Sequence, residues 1–127
     1  MGEFTETNAL PFVAPLFTAA GLDCRVLPDL ELGRWRKLIW NVPFNGLSIA
    51  AGGFDTQQIL SDPTLFRRTR LLMGEIITIA AALGHEIEPS FAESNIKGTL
   101  EMGAYQPSSL VDFLAGNAVE VEAIWGA

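Results

Sequence analysis

One cysteine, Cys24, and one histidine, His85, are all the soft metal-ligand chemistry the sequence holds. A lone cysteine cannot close an internal disulfide or build a cysteine-based zinc site, and so few ligands leave little for a transition metal. Basic residues are also scarce. Eight Lys+Arg stand against fifteen Asp+Glu, for a formal net charge of −7. A chain of that sign repels phosphate backbones, so nucleic acid is not an expected partner. No apolar run approaches the ~20 residues that a membrane span requires. The opening residues MGEFTETNA lack the basic start and apolar centre of a signal peptide. The expectation is a soluble protein of a reducing compartment, by default the cytoplasm. There is no Gly-x-Gly-x-x-Gly and no P-loop, hence no phosphate cradle belonging to this chain.

What is present is apolar. Hydrophobic residues make up 49% of the 127 and charged residues only 18%. That balance excludes disorder, which needs low hydrophobicity and high charge density. It also implies surface for a partner to cover. The length suits one domain.

The periodicity is helical nearly throughout. Thr7 or Asn8 can cap a helix through about Ala20, with Pro11 in its first turn and Pro15 a source of a kink. Residues 24–27 (CRVL) read as a short strand stopped by Pro28. Gly2 to Phe4 could be the end of another. Asp29 opens a long helix whose apolar positions Leu32, Trp35, Leu38, Ile39 and Val42 recur at spacings of three and four. Pro43 lies inside it, where a missing N–H predicts a kink. A helical turn follows at 56–60. Asp62-Pro63 is an N-cap with proline at the first helical position. The helix it opens ends LLMGEIITIAAAL, with Glu75 its only charge and no clear polar face. Such a helix belongs in a core or an interface. A carboxylate there needs a partner, with an arginine or Lys37 the candidates. His85, after the closing Gly84, reads as an exposed loop residue without catalytic role. Arg67, Arg68 and Arg70 read as a solvated face. Further helices run over 89–102 and from Ser108 or Ser109, whose hydroxyl would cap the latter with Asp112 helping in its first turn. A last helical segment begins near Glu120.

Lys37, Asn41 and Asn45 stand at i, i+4 and i+8, which places an ammonium and two carboxamides along one helical stripe. Two readings of the stripe stay open from the residues alone. It is a solvated face with an ordinary lysine, or a partly buried polar row, bracketed by Trp35, Trp40 and Phe44, whose amides require partners. Glu120 and Glu122 are similarly open, as surface carboxylates or as members of a second polar group with Ser108 and Asp112.

Trp35, Lys37, Asn41 and Asn45 follow the pattern Trp-x-Lys-x-x-x-Asn-x-x-x-Asn. Ser108 and Asp112 follow Ser-x-x-x-Asp, and Glu120, Val121, Glu122, Ile124 and Gly126 follow Glu-[Ile/Val]-[Asp/Glu]-x-[Ile/Leu]-x-Gly. In that order and separation they resemble the C-terminal domain of the ketopantoate reductase (2-dehydropantoate 2-reductase) family. Met73-Gly74-Glu75 with the later Gly84 resembles the family's intervening helix, and Gly2-Glu3 the end of its nucleotide domain.

The resemblance implies a mainly α fold of the 6-phosphogluconate-dehydrogenase C-terminal-like type, with two short strands at most left from the nucleotide domain. Residues 1–28 would be the end of that domain and a crossover helix, and residues 29–127 the helical substrate-binding and dimerisation domain. Measured against the family, the chain looks cut at both ends, without the N-terminal Rossmann domain and the last helices. The implied reaction is NADPH-dependent reduction of 2-dehydropantoate to pantoate, on the route to pantothenate and coenzyme A. Lys37 matches the catalytic lysine. Asn41, Asn45 and Ser108 match substrate-binding positions, and Glu120 matches the acidic residue where cofactor and substrate meet. Asp55 falls near a further polar substrate contact of some members. The implied partners are a small 2-oxo acid, the missing Rossmann domain and a second copy, by a two-fold dimer or helix exchange. Without its nucleotide domain the chain would bind NADPH weakly and not turn over. A reductase of another 2-oxo acid, and a non-enzymatic helical oligomerisation module, are the other expectations.

Overall fold

Three aspartates set three helix starts. The computed structural model describes residues 9–126. In it the side chain of Asp29 accepts from the Leu32 N–H at 2.9 Å and opens α2 (Leu30–Ala50). Asp55 accepts from Gln58 N–H at 2.8 Å while Gln58 Oε1 accepts from Asp55 N–H at 3.0 Å, a reciprocal box that opens α3 (Thr56–Ser61). Asp62 accepts from the N–H groups of Thr64 and Leu65 and opens α4 (Pro63–Ala82). Each carboxylate satisfies N–H groups that the first turn of a helix leaves without partners. The remaining helices are α1 (Leu10–Ala19), α5 (Ser90–Met102), α6 (Ser108–Leu114) and α7 (Val121–Trp125).

α2 is the hub, and α3, α4, α5, α6 and α7 all pack on it. Its Ile39 and Phe44 meet Ile59 of α3, Met73, Ile76 and Ala80 of α4, Ile96 of α5 and Ile87 of the intervening loop in one core. The helix continues through Pro43, which is itself buried. Across the α2–α5 contact, the Trp40 indole N–H donates to Thr99 Oγ1 at 2.9 Å, and that hydroxyl donates to the Asn95 carbonyl at 2.7 Å. A half-buried indole thus keeps its polar edge satisfied. The described residues contain no strand and no helix long and apolar enough to cross a membrane.

Several local expectations are corrected. Residues 24–27 form no strand. A strand needs a partner edge for its N–H and C=O groups, and none lies beside this segment among the described residues. The suggested caps Thr7 and Asn8 and the suggested strand end at Gly2 to Phe4 lie outside the described residues; α1 starts after Ala9. α4 buries only the stripe Thr69, Met73, Ile76 and Ala80. Glu75 sits exposed on the other side, so solvent, and not an arginine or Lys37, meets its charge. Leu71, Ile79 and Leu83 share that uncovered side. His85 is not freely exposed. Its side chain is 20% accessible, lies against Trp35, and has Asp29 and Glu31 carboxylate oxygens 3.9 and 3.6 Å from its two ring nitrogens.

Candidate active site

The cleft that gathers the sequence-predicted groups lies between α2 and α7. α2 contributes Arg34, Lys37, Leu38 and Asn41, and α7 contributes Glu120 at its start with Ala123 and Ile124. The spacing explains the lining. Positions i, i+3, i+4 and i+7 of α2 share one face, and i, i+3 and i+4 of α7 face them. The cleft encloses about 420 Å³, which is room for a small molecule. Lys37 is exposed and Asn41 half-buried. Leu38 and Ile124 form an apolar floor between two cations, one carboxamide and one carboxylate.

The stripe dives into the protein at its next member. Asn45 is buried, its Nδ2 donating to the Asn41 carbonyl at 3.1 Å and its Oδ1 accepting from the Ser109 N–H at 3.0 Å. The Lys37–Asn41–Asn45 row is therefore part cleft wall and part internal brace. Ser108 begins α6 and is exposed, outside the cleft lining. The expectation that a serine hydroxyl caps α6 is corrected. Pro107 occupies the cap position, no side chain caps it, and the Asn45 amide takes the role from α2. Asp112 lies beyond the first turn of α6, with its carboxylate accepting from Asn117 Nδ2 at 3.4 Å. Asp55 has a local purpose already, as the α3 cap.

Two members of the site were missed by motif reading. Arg34 lies one turn before Lys37 on the same face, and that spacing was the available signal. Trp125 carries α7. Its indole N–H donates to the Val42 carbonyl at 3.3 Å, and its ring covers Gly46. No local pattern in the sequence reports that pairing.

An ammonium beside a carboxamide, over an apolar floor, suits a small oxygen-rich substrate on which negative charge develops. Lys37 and the amide of Asn41 supply donors, and Glu120 supplies an acceptor from the opposite wall.

Comparison with known proteins bears on the family and the fold. The family described as ketopantoate reductase PanE/ApbA C terminal matches residues 29–127. A 2-dehydropantoate 2-reductase of Nostoc sp. is 34% identical over 120 residues, covering 94% of this chain and 37% of the relative. The crystal structure of 2-dehydropantoate 2-reductase from Methylococcus capsulatus superposes with a TM-score of 0.91 at 38% identity, covering 98% of this chain and 40% of that one. That from Geobacter metallireducens gives 0.89 at 34% identity, over 95% and 40%. The chain thus spans about two fifths of the length of these relatives.

Proposed function

The chain belongs to the ketopantoate reductase C-terminal domain family, and from that membership we propose that its cleft is the substrate half of a 2-dehydropantoate 2-reductase site. The observation that carries the reading is the meeting of Lys37, Asn41 and Glu120 in one cleft of small-molecule size.

The chemistry follows from the charges. When a hydride adds to the carbonyl carbon of a 2-oxo acid, the carbonyl electron pair moves onto oxygen. Lys37 places an ammonium where it can stabilise that oxygen and give it a proton, leaving the hydroxyl of pantoate. Lys37 recovers its proton from solvent. Asn41 orients the substrate through donor and acceptor together. Glu120, on the facing wall, offers the Lys37 ammonium an acceptor, and its family position assigns it the cofactor side. NADPH supplies the hydride when bound. The chain has no glycine fingerprint for its phosphates, so Glu120 is the contact assigned to this chain and the rest falls to a separate nucleotide domain. Ser108 is assigned a substrate contact by its family position. Asn45 acts from behind, fixing α6 and the Asn41 backbone.

The test is a fusion of this chain behind the nucleotide-binding domain of a related reductase. It should oxidise NADPH on adding 2-dehydropantoate and release pantoate, identified by mass spectrometry. A fusion that folds and binds NADPH but leaves 2-dehydropantoate untouched would overturn the reading. It would then favour a helical oligomerisation module, or, if another 2-oxo acid were reduced, a sister reductase.

A further inference from the structure

α7 is five residues long and buries none of them fully, yet it delivers one wall of the cleft. Isolated helices of that length are not stable in water, so something outside the helix must hold it. The structure shows an anchor in Trp125. Trp125 lies on α2 where Gly46 leaves room for it. A β-carbon built on Gly46 would come 3.4 Å from both Cζ2 and Nε1 of the indole. The indole N–H reaches the Val42 carbonyl one turn earlier, at 3.3 Å.

The two sides of α7 therefore do different things. Glu120, Ala123 and Ile124 face Lys37 and Asn41 across the polar cleft. Val121 and Trp125, with Val119 just before the helix, face Gly46, Ile49, Ala50 and Phe113 around an apolar hollow of about 380 Å³. Both hollows lie between α2 and α7, with Phe113 of α6 added to the wall of the apolar one. Within that turn the Ile124 N–H donates to the Glu120 carbonyl at 3.2 Å, so a shift of the tryptophan on its seat is passed through the turn to Glu120.

We infer that Trp125, seated on Gly46, is the positioning residue that sets where Glu120 stands relative to Lys37. This rests on the reading of Lys37 and Glu120 as the working groups of the cleft, but it concerns their placement and can be tested without turnover. The core does not depend on it, because none of the core residues belongs to α7.

The experiment uses the 127-residue chain and nuclear magnetic resonance. Backbone ¹⁵N heteronuclear NOE values report the order of residues 120–125. The Lys37 ε-methylene shifts, read with and without Glu120→Gln, report whether the carboxylate reaches the ammonium. In the unaltered chain, α7 should be ordered and Glu120→Gln should move the Lys37 signals. Trp125→Ala, and Gly46→Leu, which fills the seat, should lower the NOE values and abolish the response of Lys37 to Glu120→Gln. Trp125→Phe keeps one aromatic ring but loses the pyrrole half of the indole with its N–H, and should restore part of both. The thermal midpoint should stay near that of the unaltered chain in all three variants. Trp125→Ala with an ordered α7 and an unchanged Lys37 response would overturn the inference. So would an unaltered chain in which Glu120→Gln leaves Lys37 unmoved. Failure of the fused enzyme to reduce 2-dehydropantoate, with these couplings intact, would count against the substrate assignment and not against the positioning by Trp125.

Discussion

The buried side chain of Asn45 accepts the backbone N–H of Ser109 at 3.0 Å, and through that bond α2 caps α6. The same carboxamide donates to the Asn41 carbonyl at 3.1 Å. One residue of the family motif is thereby committed to architecture, and it fixes the helix start on which Ser108 stands.

Asn45→Ala should therefore destabilise the fold. It leaves the Ser109 N–H unpaired in the interior, an omission that costs roughly 1–3 kcal/mol. Equilibrium denaturation of the 127-residue chain measures it. A loss below about 0.5 kcal/mol would mean that water or a neighbour replaces the bond.

Lys37→Ala should do the opposite. The side chain is exposed, so stability should stay within about 0.5 kcal/mol, as for most surface changes. Turnover of the fused enzyme should fall about 10²–10⁴-fold, the usual contribution of a positioned proton donor. Near-normal turnover would return Lys37 to the status of an ordinary surface lysine.

The 127-residue chain by itself should not consume NADPH with 2-dehydropantoate. Its sequence has no dinucleotide fingerprint, and hydride transfer requires the cofactor to be held against the substrate. A spectrophotometric assay with pure protein decides the matter, and a reproducible rate that scales with protein would show that the cofactor site has been misplaced.

The chain should also self-associate. Leu71, Ile79 and Leu83 lie on the uncovered side of α4, and Phe12, Leu16 and Phe17 project from α1, which buries no residue. Covering such surface returns roughly 25 cal/mol per Å². Light scattering at micromolar concentration should give a mass above 13.8 kDa, and Ile79→Lys should reduce it. A single sharp monomer mass with a cooperative thermal transition would show that these residues tolerate water.

The helices were legible in the sequence because their determinants are local. Asp29 and Asp62, the two caps read from the sequence, each meet N–H groups two or three residues away, and the burial stripes repeat at the period of the helix; Asp55 caps α3 in the same local way but was not read as a cap. The family pattern named Lys37, Asn41 and Glu120, for a motif records which residue types stand in what order. Their assembly into a cleft was a tertiary matter. The bond that seats α7, from Trp125 to Val42, joins residues 83 positions apart, and no window of sequence contains both. The same distance hid the division of labour within the stripe, since only the arrival of α6 shows that Asn45 is enclosed. Where local reading failed, at residues 24–27, at the serines that begin α6 and at Glu75, the deciding fact was in each case what lies beside the residue in space. A strand lacks an edge, a cap comes from another helix, and a carboxylate on an apolar helix faces water.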